Sequence, residues 1–266
     1  GKSKKEILIS TYICHPSMAN DNLSGIICTT FLAKYLSSLK NRKFSYRIVF
    51  VPETIGAIAY CKINEKKMKE IDYGIVISNV GGKGKIGYKK SFEDLSLIND
   101  EVEEVLKINY KNYLTYPFDI NGSDERQYSS QAFKINTVTI TKDKYYEFSQ
   151  YHNSEDNLNF VSGKNINISL GLYIKLINKI EKWSIYKSKF THGEVMLSKR
   201  GLFSGSGGSY LPSKNISYSD LILWIIFMSD GKTQTKKISK KLAININIIE
   251  KISKKLLSKK LLSKIA

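Results

Sequence analysis

The chain reads as an α/β protein, a mostly parallel sheet flanked by helices, followed by a small helical module of winged-helix type. Three observations predict this. Apolar runs with β-character alternate with helix-spaced segments through the first 180 or so residues, the β-α-β order that implies parallel strands covered by helices. The polar, functionally suggestive residues fall in loops that follow those strands. After about residue 217 the pattern changes to three short helices, the last of them rich in lysine.

Taken in order, Glu6 to Ile13 predicts a buried strand. Leu23 to Leu39 repeats apolar residues at helical spacing, with Asn22 near its cap. Asn41 to Lys43 is a turn, Tyr46 to Val51 a second strand, Thr54 to Lys62 a helix, and Tyr73 to Val80 a third strand closed by Gly81 and Gly82. Lys85 to Lys89 reads as a short strand near an edge. Phe92 to Lys107 reads as a helix with Glu101, Glu103 and Glu104 outward, and Tyr113 to Phe118 as another strand. The loop NGSDERQYSS, a strand from Asn136 to Thr141 and the loop YHNSEDNLNF precede a long helix over Gly163 to Trp183. The expected domains are 1–190, a linker over 191–216 containing SGSGGS, and 217–266, with helices at Asp220 to Met228, Lys236 to Ala243 and Ile246 to Leu257. The chain starts almost directly on a strand, which leaves room for a further N-terminal portion.

Composition narrows the classes. The 266 residues are ample for a hydrophobic core. No apolar run reaches the length of a membrane span, and no signal peptide is visible. Cys14, Cys28 and Cys61 lack zinc-knuckle spacing and read as reduced residues of a cytoplasmic protein; Cys14 has a second reading as a reactive thiol or soft metal ligand. The net charge of +18 invites nucleic acid as a partner. The chain is also rich in Lys, Ile and Asn throughout, the composition of an AT-rich genome, so charge alone does not choose a partner. The lysines concentrate after Thr233, but the third helix offers Asn245 and Asn247 and no arginine for base edges.

The chemistry centres on TYICHPSMANDNLSG, Thr11 to Gly25. A histidine and a carboxylate, His15 and Asp21, share one loop after a strand and suit a divalent metal such as zinc. Of the three histidines, His152 also lies in a polar loop after a strand, whereas His192 belongs to no motif. Glu53 follows Pro52 at the end of the second strand, Asn79 ends the third, and Asp124 sits in a Gly-Ser-Asp turn. Parallel strands deliver such loops to one edge of the sheet. Plainer roles exist for each: Glu53 can favour the helix N-terminus it precedes, and Asp124 can hold its turn.

CHPSMANDNLSG, VPETIGAIAY, GSDERQY, YHNSEDNL and KRGLF together resemble the zinc-dependent aminopeptidases that share a fold with glutaminyl cyclases. More closely, they resemble a bacterial aminopeptidase-like family with a C-terminal winged helix, linked to polysaccharide biosynthesis. The resemblance implies a zinc-dependent hydrolase. It makes His15 and His152 ligands, Asp21 the bridging aspartate, Glu53 the general base or else a fourth ligand, Asp124 a lining residue and reserve ligand, and Asp156 part of the turn after the last histidine. Arg126 and Tyr128 are candidates to bind a substrate carboxylate or hydroxyl. Two anionic ligands of the two-metal pattern are replaced, by Thr54 and Asn79, so one zinc ion is expected. The substrate implied is a small peptide or amino-acid conjugate. Two alternatives stand beside this: an inactive binding protein on the same scaffold serving surface-polysaccharide biosynthesis, and a nucleic-acid-binding regulator acting through the C-terminal module. A homo-oligomer is open, and no membrane partner is expected.

Overall fold

The computed structural model describes residues 1–110, 112–203 and 216–266. It forms two compact units, Gly1–Lys182 and Trp183–Ala266. The SGSGGS segment, in the middle of the expected linker, lies outside the described residues.

The first unit is built on a six-stranded sheet. In chain order its elements are β1 (Glu6–Tyr12), an irregular kinked turn (Ala19–Ser24), α1 (Gly25–Ser38), β2 (Ser45–Val51), α2 (Ile55–Ile63), α3 (Glu65–Met68) and β3 (Tyr73–Val76). Then come β4 (Gly87–Lys89), α4 (Leu97–Asn109), β5 (Leu114–Tyr116), α5 (Glu125–Tyr128), β6 (Asn136–Thr141) and α6 (Gly163–Ile180). The strand order is β2-β1-β3-β6-β4-β5. β2, β1, β3 and β6 are parallel neighbours, whereas β4 runs antiparallel to β6 and parallel to β5.

Strand composition explains the arrangement. In β1 every residue after Glu6 is buried, as expected of a central strand covered on both faces. Leu8, Val49 and Val76 pack with Ala57, Cys61, Met68, Tyr128 and Ile135, which brings α2, α3 and α5 against the sheet. Elsewhere α1 and α4 pack along α6. Because β1, β2, β3 and β6 are parallel, the loops that follow them emerge at one edge.

Several expectations need correction. β3 ends at Val76 rather than Val80, because the chain leaves the ladder toward Asn79, whose φ is +52°. Glu101 is not on an outer face of α4: it is buried, with its carboxylate 3.7 Å from Lys179 Nζ. Asn22 does not cap α1. Its buried side chain instead donates to Thr11 Oγ1 and the Tyr12 carbonyl.

The second unit begins earlier than the sequence suggests. β7 (Ile185–Ser188) lies inside the expected first domain, yet it pairs antiparallel with β8 (Asp230–Gln234) and β9 (Leu262–Lys264). Around this small sheet are α7 (Tyr218–Met228), α8 (Thr235–Leu242) and α9 (Ile246–Ser258). Their buried faces meet through Ile222, Ile225, Ile238, Ile249 and Leu256. Among the described residues, no helix of either unit is long and apolar enough to cross a membrane.

Leu8 is fully buried in the central strand β1. Replacing it with alanine is expected to destabilise the protein by about 2–5 kcal/mol, read as a lower denaturation midpoint with an unchanged slope.

Candidate metal centre

The DNLSG string becomes intelligible at the edge where β1 and β3 end. Asn20 Oδ1 accepts the Gly81 N–H at 2.9 Å, and Ser24 Oγ accepts that of Val80 at 3.1 Å. Asn22 Oδ1 accepts the N–H of Asn79 at 3.3 Å. Three side chains of one loop thus satisfy three successive backbone N–H groups of the loop after β3. Gly25 is required by closeness, since a Cβ there would overlap Asn22 Oδ1 and the Ile77 carbonyl.

Asp21, left free of this stitching, is buried beneath the histidines. Tyr12 donates its hydroxyl to Asp21 Oδ1 at 2.6 Å. Asp21 Oδ2 then faces His152 Nε2 at 3.1 Å and His15 Nε2 at 3.8 Å. The two imidazole rings lie 4.4 Å apart between centroids, and Tyr151 stacks on His152 at 3.8 Å. The loop holding His152 is fastened by Asp156. Its carboxylate accepts the backbone N–H of Asn20 at 2.6 Å and of Asp21 at 2.9 Å.

Glu53 enters from the loop after β2. Its Oε2 lies 3.5 Å from His15 Nε2, and its Oε1 accepts the Ser123 hydroxyl at 2.6 Å. Cys14 donates its thiol to Glu53 Oε2 at 3.7 Å. Burial, then the Glu53 and Asp21 carboxylates, push the Cys14 thiol up to about 12. A cleft of about 370 Å³ opens here, lined by Cys14, His15, Ser17, Met18, Asn157 and Leu158 among others.

Two sets of possible ligand atoms therefore exist among the described residues: His15, Asp21 and His152, and Cys14, His15 and Glu53. Asp124 joins neither. Its Oδ1 is occupied by the Thr54 N–H at 2.8 Å, and its buried Oδ2 has no hydrogen-bond partner. Burial raises its carboxyl to about 7, and the neighbouring Glu53 adds to the effect. Arg126 and Tyr128, expected to contact substrate, sit differently from one another. Tyr128 is fully buried with its hydroxyl 2.7 Å from Ser10 Oγ, and Arg126 donates back to the Ile120 carbonyl at 3.0 Å.

Backbone conformation marks the same place. His15, Thr54, Asn79 and His152, one from each loop at this edge, all have φ between +52° and +59°. Such conformations cost about 1–3 kcal/mol each for non-glycine residues and persist only where surroundings over-determine them. Two further supports escape sequence reasoning. One is Asp156 as a clamp, for which the only signal is its place after the histidine. The other is Lys89, whose buried Nζ binds Glu125 Oε1, Tyr145 Oη and the carbonyls of Asp119 and Asn121. This cation fixes the loop that presents Ser123 and Asp124, and no local pattern announces it.

Residues 1–183 match the model described as a domain of unknown function, DUF4910, and residues 184–264 match a winged helix-turn-helix model. A Clostridium acetobutylicum protein, named for polysaccharide biosynthesis and an aminopeptidase-like domain, is 39% identical over 242 residues, 91% of this chain and 54% of its own length. A crystal structure named as a peptidase from the same organism is 35% identical with a TM-score of 0.69, covering 100% of this chain and 58% of its own. The chain thus spans a little over half the length of these relatives. A zinc aminopeptidase from Bacillus subtilis is 16% identical with a TM-score of 0.56, over 66% of this chain and 46% of its own. For a Porphyromonas gingivalis glutaminyl cyclase the values are 16%, 0.57, 67% and 73%. These last two show likeness of fold alone. Taken together, the parallel-sheet scaffold, the winged-helix unit and the extent of these matches show that the chain belongs to the DUF4910 family, as an aminopeptidase-like domain joined to a winged helix-turn-helix.

Proposed function

We propose that the first unit is a single-zinc hydrolase that cleaves an amide at the free amino terminus of a small peptide or amino-acid conjugate. The observation that carries this reading is the meeting of His15 Nε2, Asp21 Oδ2 and His152 Nε2, brought from two loops far apart in sequence. Donors about 2.0–2.3 Å from one ion in a tetrahedron lie roughly 3.3–3.8 Å apart. The separation of 3.8 Å falls in that range, and that of 3.1 Å lies about 0.2 Å below it. Two imidazoles and one carboxylate are also a donor set that zinc accepts. When bound, the ion would supply Lewis acidity toward a carbonyl and bring a water toward ionisation near neutral pH.

The chain's own groups do the rest. Tyr12 and Asp156 hold Asp21 so that one oxygen faces the histidines, the kind of outer support that fixes ligand orientation. Glu53, anchored through Oε1 by Ser123, keeps Oε2 directed at the centre. It suits the role of taking a proton from the attacking water and returning it to the leaving nitrogen. Asp124, behind Glu53, retains its proton up to near neutrality and so adds little negative charge beside the base.

A second reading rests on Thr54 and Asn79. At the positions where the resemblance expects anionic ligands, Thr54 offers its N–H to Asp124 and Asn79 points Nδ2 at the Tyr12 hydroxyl, 3.3 Å away. On that reading the cleft holds a ligand without cleaving it, in polysaccharide assembly, the process for which the C. acetobutylicum relative is named. A nucleic-acid role for the second unit is supported by its winged helix-turn-helix match and the lysines of α8 and α9.

Three measurements test this account. Glu53→Gln is expected to lower aminoacyl-amide hydrolysis by about 10²–10⁴-fold with zinc content unchanged, while His15→Ala loses zinc by elemental analysis. A zinc-replete preparation that binds no zinc would sink the hydrolase. The unfolded chain releases the Asp124 proton near pH 4, but the folded protein holds it to about pH 7. Stability is therefore fully present below that window and falls as pH rises through it. In chelator-treated protein, Asp124→Asn should gain about 2–4 kcal/mol on the wild type between pH 4 and pH 8, measured by denaturant titration.

A further inference from the structure

His15 Nε2 stands between two carboxylates, 3.8 Å from Asp21 Oδ2 and 3.5 Å from Glu53 Oε2. On the Glu53 side, Cys14 Sγ lies 3.7 Å from the same Oε2 atom. The possible ligand atoms of Cys14, His15 and Glu53 all fall within 4.8 Å of one another. The 3.5 and 3.7 Å separations match the roughly 3.3–3.8 Å edges of a tetrahedral site with one sulfur donor. Unlike Cys28 and Cys61, which are buried, Cys14 is only half-buried and lines the open cleft.

We propose that Cys14, His15 and Glu53 form a second seat for a thiophilic divalent cation, overlapping the first and exclusive with it. Exclusivity follows from His15, whose one Nε2 lone pair faces both seats and serves one ion at a time. Donor charge separates the two. The three donors of the first seat carry one anion, Asp21, with the Glu53 carboxylate beside them, 3.5 Å from His15 Nε2. The second offers a thiolate and a carboxylate, which neutralise a bound dication. Sulfur adds selectivity, because thiolates favour soft and borderline cations over magnesium or calcium. Binding there releases the Cys14 thiol proton to solvent as the S–metal bond forms. It also occupies the carboxylate that the hydrolase reading assigns to proton transfer, so an ion on the second seat and catalysis are incompatible.

This inference rests on the reading of these loops as a cation centre, and cobalt(II) titration of the metal-free full chain distinguishes the two. Bound cobalt gives visible d–d absorption at either seat, but a near-ultraviolet thiolate-to-cobalt charge-transfer band only at the second. In His152→Ala, where the first seat has lost a donor, bound cobalt is expected to carry the charge-transfer band. In Cys14→Ser and Cys14→Ala the band is expected to vanish while d–d absorption remains. Cobalt bound to the wild type, with His152→Ala either binding none or binding it without a charge-transfer band, would overturn the second seat and leave the hydrolase reading standing. No cobalt bound to the wild type would overturn both.

Discussion

The site depends on one buried carboxylate. Asp156 reaches across from the loop after β6 and takes the backbone N–H groups of Asn20 and Asp21, residues more than 130 positions earlier in the chain. Hydrogen bonds to a charged acceptor are worth about 1.5–3 kcal/mol each, and these two act together on a single peptide segment. They set the depth of Asp21 and the distance from Asp21 to His152 at once. Without them the two histidine loops would be joined only by the Ala19 N–H to the Asp156 carbonyl, the Asn20 amide to Asp143 and the contact of His152 with Asp21. With them, the loops form one rigid edge.

Around that clamp the loops after the parallel strands are sewn together by short polar side chains rather than by apolar packing. Asn20, Asn22 and Ser24 satisfy backbone donors of the loop after β3, groups that would otherwise be buried without partners at a cost of about 1–3 kcal/mol each. The network is stiff enough to keep His15, Thr54, Asn79 and His152 in left-handed backbone conformations. Strain at these four positions, and buried oxygens without partners on Asn79 and Asp124, concentrate uncompensated energy at one place. A folded protein tolerates that most readily where it holds or acts on something.

The second unit is stabilised differently. Its three-stranded sheet is small, and its core is a set of isoleucines and leucines contributed mainly by α7, α8 and α9. Lysine pervades the exposed surface of α8 and α9, with their apolar residues turned inward. This amphipathic pattern is what made the helices readable, whereas β7, β8 and β9 are too short and too polar to stand out.

Periodicity and strand composition by themselves determined the α/β architecture, the parallel core strands and the helical C-terminal module. Hydrophobic alternation is local and each element carries its own. The same holds for His15, Asp21, Glu53 and His152 as residues of interest, because each follows a strand in a polar loop. Only the tertiary structure decided which of them meet. It set Asp124 behind Glu53, turned Tyr128 into the core, assigned Asp156 and Lys89 as braces, and brought Cys14 level with Glu53. Those outcomes depend on the stagger of strand ends across the sheet and on hydrogen bonds between segments remote in sequence, and neither leaves a trace in local pattern.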